Sequence, residues 1–560
     1  MEALQDLTKG VAQADVFHIA GTAALLGILF HVAIRQTEFE LVMFHFMAAS
    51  VLAFFGLASA FLRLSEHSIL AALAKATVFS TAFNTALLTS IGIYRLVFHP
   101  CRKFPGPLGA KLTRFYAAKL SAKNVQYYKE LEALHERYGD VVRTGPRELS
   151  VRRKSAVPIL YGPNSKCLKS TWYGQTGNDP VKCSIHMTRD FEQHRLRRRA
   201  WDRGFSMKAL ATYEPRIKGK ADALIQQLRN KEHVDVSKWA MFFSFDVMGE
   251  VGFSKDFNNL ASGTEHPGIE AVHAHMTMLG ILSTVPWLLN VLGSIPGAAA
   301  GYSEFFGFCA NQIREKNKTW NADSYPQDVV GWLLKAVKEK DVSASPSPEA
   351  LEDDSRVMII AGSETTATTL ASALYFLAKY PEKQKKLQQL VDQAIPQFSA
   401  WTYEKAKSVT YIDDWISETL RLRPALLNGG PRETPVEGIQ IDEVVIPGKT
   451  NVLVPVLLIQ KDPRYWPQTE DFIPERFGEK RAEMETDNSP YLPFSLGAYS
   501  CPGKNLAQLS LRISLSSIVS NFDVSFAPNE TGENFYNEIL DTFTVTLPSL
   551  DLRFIPRNRG

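Results

Sequence analysis

Three apolar runs within the first hundred residues constrain this chain more than any other feature. Phe17 to Ile34 is apolar apart from two histidines, and Leu41 to Leu62 apart from one. The third run lies between Ala76 and Phe98, with Lys75 at its edge. Each is near the ~20 residues that cross a bilayer as a helix. The start of the chain carries no basic cluster and the runs repeat, which argues against a cleaved signal peptide. A buried helical subdomain is the competing reading, strongest for the third run because Asn84 interrupts it. Arg95, Arg102 and Lys103 follow the third run, and basic residues stay on the cytosolic side. Three spans then put the N-terminus in the lumen. Phe104-Pro-Gly-Pro-Leu-Gly109 cannot continue a helix, so it is expected to form a stiff hinge. The expected division is a membrane anchor over 1–98, a hinge over 99–110 and a large folded domain over 111–560.

The rest of the 560 residues reads as an ordinary globular chain, 45% hydrophobic and 22% charged. A net charge of +3 gives no reason to expect nucleic acid. Five cysteines, at 101, 167, 183, 309 and 501, are dispersed and form no CxxC pair. That excludes a disulfide framework or zinc knuckle and fits a reducing compartment. Residues 190 to 420 are mostly helical in pattern. Strands are expected at Val141–Thr144 and Glu148–Arg152, within Val436–Ile459, and in a closing hairpin region over Asp523–Phe554. The fold class is therefore mainly α with small β-sheets.

Cys501 sits in Phe494-Ser-Leu-Gly497-Ala-Tyr499-Ser-Cys501-Pro-Gly503, directly before a helical apolar pattern. A thiol there meets free N–H groups and the positive end of the helix dipole, which favour the thiolate. Such a thiolate is the ligand that oxygen-activating haem enzymes use. The plain alternative is a buried structural thiol.

A long helix is expected from about Leu351 to Lys379, ending at Tyr380-Pro381. Its middle holds Ala361-Gly362-Ser363-Glu364-Thr365-Thr366. Gly and paired Thr weaken a helix interior, so the segment reads as a place where something approaches the backbone. Glu364 and Thr365 would supply an acid and a hydroxyl for proton delivery. A solvent-exposed polar turn is the equal alternative. Glu418 and Arg421 share a helix face, which by itself means a surface salt bridge. With Arg476 of Pro474-Glu-Arg-Phe477 they could instead form a buried cluster that fixes geometry.

Taken in order, AGxETT, ExxR, PERF and FxxGxxxCxG resemble the signature of a eukaryotic microsomal cytochrome P-450, over essentially all of residues 100 to 560. The three-span anchor and Pro-Gly hinge resemble fungal members. The resemblance implies the cytochrome P-450 fold behind N-terminal transmembrane helices, with haem b as cofactor and Cys501 as axial metal ligand. It makes Glu364 and Thr365 the proton relay of oxygen activation, and Glu418, Arg421 and Arg476 a structural lock. His194, Arg198 and Arg432 would hold haem propionates, within a cradle that includes Phe494, Gly497, Tyr499 and Gly503. Arg195, Arg197 and Arg199 would suit docking of an acidic electron donor, or be a solvated face. The family usually has Arg or His where this chain has Tyr499. A phenol can hydrogen-bond a propionate but cannot pair with its charge, so Tyr499→Arg is expected to preserve or improve haem retention.

The expected reaction is insertion of one oxygen atom into a lipophilic substrate, with electrons from NADPH-cytochrome reductase and cytochrome b5 as a further donor. The expected location is the endoplasmic reticulum membrane, with membrane lipid as a partner and the catalytic domain in the cytosol. A haem-thiolate isomerase or dehydratase acting without O2 is the alternative, disfavoured by the Glu364-Thr365 pair. By resemblance the pocket is lined near Cys167–Cys183, Met276–Val285, Met358, Ala361 and Gly362 and closed by Ala425–Gly430 and the hairpin tip Phe543–Val545, with Asn428 as a polar anchor. Those walls suit a terpenoid, polyketide or alkaloid-type secondary metabolite; a fatty acid or xenobiotic is the runner-up.

Overall fold

The computed structural model describes residues 15–64, 68–177, 179–273, 276–293, 295, 297, 300–397 and 400–558. The expected luminal N-terminus, residues 1–14, lies outside them. Three apolar helices, Val16–Ile34, Met43–Leu64 and Ile69–Ile93, come first. Asp15 caps the first by accepting from the His18 N–H at 2.9 Å. The first and third pack closely because Gly27 lets the backbones meet; a Cβ there would lie 2.4 Å from the Phe83 carbonyl oxygen. His31 Nδ1 bonds Ser90 Oγ across that contact at 2.8 Å. Asn84 donates to the Ser80 carbonyl, so its amide is partly satisfied inside the helix. All three helices have the length and composition to cross a membrane. So has the later helix Pro348–Lys379, but 72% of its apolar window is buried inside the protein, which makes it a core helix.

The loop between the first two helices docks on the large domain. Arg189 grips Glu38 through both guanidinium Nη atoms, at 2.5 and 2.9 Å, and also reaches Glu433 at 2.9 Å. This loop therefore lies on the same side of the apolar helices as the large domain. The proline-glycine segment is docked too. The Arg143 N–H donates to the Pro105 carbonyl at 2.7 Å, and Cys101 and Phe104 are buried. Gly106 lies against Arg143, where a Cβ would come within 2.4 Å of its carbonyl oxygen.

The main core surrounds Pro348–Lys379. Ser347 caps this helix and Pro348 occupies its first turn, so it starts three residues before the sequence expectation. Helices Val236–Met248, Ala300–Thr319, Thr410–Leu422 and Lys504–Asn521 pack against it. A smaller core lies under a five-stranded sheet ordered Val141–Gly145, Glu148–Val151, Asn451–Leu453, Arg432–Glu433, Leu168–Lys169. The stretch 436–459 is strand only in part: Ile439–Ile441 pairs with Val444–Ile446, but Val456–Gln460 is a short helix. Its apolar residues are buried on every side, which removes the alternation that marks a strand. Near the C-terminus, Leu540–Thr542 and Thr544–Thr546 form a tight hairpin, and Asp551–Pro556 pairs with Phe522–Phe526.

Candidate active site

Cys501 ends a loop shaped by two left-handed residues, Ser495 (φ +54°) and Gly497 (φ +63°). Gly497 passes so close to Tyr161 that a Cβ would sit 2.5 Å from its carbonyl oxygen. The Cys501 N–H donates to the Phe494 carbonyl at 2.9 Å, which turns the thiol back toward the molecule. Gly503 caps the helix Lys504–Asn521. The thiol is accessible, yet what it faces is an internal chamber of about 420 Å³ rather than bulk solvent. Enclosure therefore pushes the thiol above its usual pKa, opposed by the Gly503 and Lys504 N–H groups and by the Arg198 charge. The helix end does favour the thiolate as expected, but burial outweighs it until a cation binds.

The opposite wall is the middle of Pro348–Lys379. Met358, Ala361, Gly362, Thr365 and Thr366 line the chamber there. Gly362 also makes room for a neighbour: a Cβ would overlap Met248 of Val236–Met248. Glu364 is absent from the lining; it is buried and accepts a short hydrogen bond from Thr544 Oγ1. Burial raises its carboxyl to about 7, and the Thr544 hydroxyl opposes that shift. Thr365 donates to the Ala361 carbonyl at 2.7 Å.

One side of the chamber is a wall of basic side chains, in which burial keeps the two histidines neutral. Lys169, His186, His194, Arg198 and Arg432 all line it. Lys169 is buried and donates to the carbonyls of Ile185 and His186 at 2.8 and 2.7 Å. Burial, then Arg432, Arg197 and Arg198, hold its ammonium well below the usual range. Burial and the Lys169 charge hold His194 down at about 2 and His186 at about 3. Among the described residues neither Lys169 nor Arg432 bonds a carboxylate, and Arg432 Nε is buried without a partner. Cations crowded in this way fit a ligand that carries its own carboxylates.

Tyr499 enters this wall as a ring. Arg432 lies 4.9 Å and Lys169 5.2 Å from its centroid, and His194 packs on it at 4.7 Å. Its hydroxyl is buried and makes no hydrogen bond among the described residues. Tyr499 lines the chamber, and its ring serves as a platform for the Arg432 and Lys169 cations. Arg198 ties this wall to the cysteine loop by donating to the Ser500 carbonyl at 2.7 Å, and it pairs with Asp202 of its own helix at 2.7 Å.

A thiol facing an internal chamber, with Lys169 and Arg432 at one side lacking carboxylate partners among the described residues, fits haem with Cys501 as the iron ligand. The family model for cytochrome P450 matches residues 106–553. The chain belongs to the cytochrome P450 family. It is 36% identical to cytochrome P450 monooxygenase FCK2 of Fusarium pseudograminearum over 543 residues, covering 95% of this chain and 97% of that one. It is 38% identical over 476 residues to cytochrome P450 monooxygenase orf5 of Eupenicillium brefeldianum, covering 84% and 95%. It is 32% identical over 457 residues to tryprostatin B 6-hydroxylase of Aspergillus fumigatus, covering 80% of each. The crystal structure of a cytochrome P450, CYP102L1, superposes with a TM-score of 0.63 over 77% of this chain and 94% of that one; at 21% identity it shares the fold. The chain is a fungal-type haem-thiolate monooxygenase, an oxidoreductase that needs a redox partner and a lipophilic substrate.

Glu418, Arg421 and Arg476 meet in this P450, all without solvent exposure. Glu418 accepts from Arg421 Nε at 2.7 Å and Nη2 at 2.8 Å, from Arg476 Nε at 3.0 Å and from the Ile473 N–H at 3.0 Å. The remaining guanidinium donors reach the carbonyls of Gln460, Thr469, Asp471, Pro467 and Gln468.

Two expected placements differ. Arg197 is buried and paired with Asp354 at 2.8 Å, so it is not part of a docking face; Arg195 and Arg199 are exposed. Asn428 does not line the chamber, because its amide turns away to donate to Asp541 at 2.6 Å. Sequence reasoning placed the stretches Cys167–Cys183 and Phe543–Val545 at the pocket but singled out neither Lys169 nor Thr544 within them. Lys169 gains its role from the pairing of Leu168–Lys169 with Arg432–Glu433, and Thr544 from the closing hairpin that carries it to Glu364. A second, more open hollow of about 1280 Å³ lies between the first and third membrane helices, remote from the thiol and the cation wall.

Proposed function

We propose that this P450 binds haem b through Cys501 and inserts one oxygen atom from O2 into a lipophilic secondary metabolite. When bound, the haem-thiolate supplies oxygen activation. The chain's residues do the rest. Lys169, Arg198 and Arg432 would hold the propionates, with His194 beside them. Phe494 and Gly503 would cradle the thiolate face, and Gly497 would shape the loop behind it. Glu364, with Thr365 on the chamber wall, would manage protons. The observation that carries the reading is the thiol opposite Ala361 and Thr365, beside Lys169 and Arg432, which have no carboxylate partner among the described residues.

Electrons come from NADPH-cytochrome reductase, with cytochrome b5 as a further donor, docking near exposed Arg195 and Arg199. The protein sits in the endoplasmic reticulum membrane. Residues 1–98 are its anchor, 99–110 the connector and 111–560 the catalytic domain, facing the cytosol. Arg95, Arg102 and Lys103 support that orientation, as does the contact of Glu38 with Arg189.

The distal walls include Trp172, Val247, Met276, Leu279, Phe305 and Phe543. Walls of this kind bind by shape and apolar contact, with few polar anchors. A relative named for hydroxylating tryprostatin B supports an alkaloid-type or similar secondary metabolite over a fatty acid. The test is an optical spectrum of the reduced, carbon-monoxide-bound protein in membranes. A far red-shifted Soret band is expected. A band at the ordinary haem-protein position would reject thiolate ligation, and no haem band in well-expressed protein would reject the whole reading.

A further inference from the structure

The acid of the central helix is cut off from the chamber it is supposed to serve. Glu364 is 6% exposed and absent from the chamber wall. Among the described residues the hydrogen-bond partner of its side chain is Thr544, from a hairpin 180 residues away. Thr365, the adjacent hydroxyl, is occupied with the Ala361 carbonyl. Thr544 does line the chamber. It has the carboxyl on one side and the cavity on the other.

The hairpin holds Thr544 firmly. Thr542 pairs with Thr544 across the turn, and Thr542 Oγ1 also donates to the Thr544 carbonyl at 2.5 Å. Phe543, at the tip, is left-handed (φ +78°), an uncommon state for an aromatic residue. Its ring stacks on Trp172 at 5.1 Å with an interplanar angle of 5°. The neighbouring Val545 N–H donates to Ala425 at 3.0 Å, and Thr368 of the central helix donates to the Val545 carbonyl at 3.4 Å. The strained tip is thus fixed from three sides, and the fixing places one hydroxyl against one carboxyl.

We propose that Thr544 is the residue through which Glu364 exchanges protons with the chamber. The proton on the carboxyl passes to Thr544 Oγ1 as the hydroxyl's own proton passes to a water in the chamber. The O–H bond of the carboxyl breaks as a new one forms at Thr544, and the old Thr544 O–H bond breaks as one forms on the water, which leaves as hydronium; the resulting carboxylate then accepts from the Thr544 hydroxyl as observed. The carboxylate regains its proton by the reverse path. No charged side chain contributes to the Glu364 titration, so this hydroxyl is the polar group that tunes it. The proposal rests on the monooxygenase reading only for what the proton is used for.

The test uses the full-length, haem-loaded ferric protein in lipid discs. Infrared difference spectra follow the carboxyl C=O band of Glu364, assigned by its loss in Glu364→Gln. Two quantities are read from that band: the pH midpoint, and the rate of H/D exchange after transfer to D2O. In Thr544→Val the midpoint is expected to rise, because a donor to the charged form is lost. Exchange is expected to slow at least tenfold, and Thr544→Ser is expected to restore both. Wild-type exchange in Thr544→Val overturns the proposal, as does slowing that Ser does not rescue. Should the Val variant fail to fold, Thr544→Ala is read by the same criteria. The spectra need no turnover, so they stand apart from the carbon-monoxide test of the P450 reading. With substrate and reductase, Thr544→Val should also divert more electrons to peroxide than Thr544→Ser does.

Discussion

Replacing Tyr499 by phenylalanine and by leucine separates the two things a tyrosine could do beside the haem carboxylates. The sequence alone points to the phenol, because a hydroxyl is what remains where the family carries a cation. The structure points to the ring, with the Arg432 and Lys169 cations 4.9 and 5.2 Å from its centroid and the hydroxyl buried without a partner. A cation–π contact is worth about 0.5–2 kcal/mol, from exposed to desolvated. Two such contacts make about 1–4 kcal/mol, and tenfold corresponds to about 1.4 kcal/mol. Tyr499→Phe keeps both contacts and removes an unsatisfied buried hydroxyl, so haem retention should stay within about twofold of wild type or improve. Tyr499→Leu removes both, and haem should leave about 5- to 700-fold faster. The assay is haem transfer to excess apomyoglobin, followed in the Soret region with protein in lipid discs. If Phe loses haem as fast as Leu, the phenol matters and the ring-platform argument fails. Tyr499→Arg brings a charge but removes the platform, so it should retain haem near the wild-type level.

Three further outcomes follow from packing and charge. Glu418→Ala leaves two fully buried guanidiniums without their carboxylate and should cost about 3–5 kcal/mol, seen as loss of haem-loaded protein and a large drop in Tm; a change under about 1 kcal/mol would contradict the buried cluster. Arg189→Ala should release the loop 36–42 from the large domain, measured as faster amide exchange of that loop in lipid discs, while the charge-swapped pair Glu38→Arg with Arg189→Glu should recover part of the protection. His135 is buried between the Gly139 carbonyl at 2.9 Å and Ser150 Oγ at 2.7 Å, and burial lowers its pKa to about 4. The unfolded chain takes up this proton below its ordinary pKa of about 6.5 and the native chain does not, so stability falls as pH drops from 6.5 toward 4, by about 2 kcal/mol at pH 5. The pH dependence of Tm between 7 and 5 should flatten in His135→Gln.

What was legible in the sequence divides along a physical line. The membrane helices, the long central helix and the cysteine loop announce themselves locally, through apolar length, a proline stop and left-handed glycine geometry. The Glu418 cluster was legible as a motif but not as a contact, because the separation of Glu418 from Arg476 is closed only by tertiary packing. Lys169 was legible only as a member of the expected lining stretch Cys167–Cys183, not as a cation of the site. In sequence it is a lysine between Leu168 and Ser170, and what makes it part of the site is the pairing of Leu168–Lys169 with Arg432–Glu433. The same pairing sets Lys169 beside Arg432, so one register decision creates the cation wall. The helix Val456–Gln460 was misread because burial on all sides erases periodicity, and Asn428 because its partner Asp541 lies on the distant hairpin.

The strand Arg432–Glu433 also explains why the membrane loop docks where it does. Arg432 faces the haem side, while its neighbour Glu433 reaches Arg189, which in turn holds Glu38 of the loop. Arg189 Nε approaches the Lys169 carbonyl as well, at 3.4 Å. One arginine therefore contacts the membrane loop and both strands that carry the wall's cations. Burial first, and then the neighbouring Arg432, Arg197 and Arg198 charges, depress Lys169. Among the described residues, backbone carbonyls, the Tyr499 ring and this external bracing hold the wall together without haem carboxylates. The bracing is partly exposed, so each ion pair contributes little to folding on its own. Its effect is geometric: it keeps Lys169 and Arg432 from swinging apart. On this argument the anchor is part of the site's scaffold, and disturbing Arg189 should weaken haem retention as well as free the loop. Wild-type haem retention in Arg189→Ala, with the loop released, would show that the two strands hold their cations unaided.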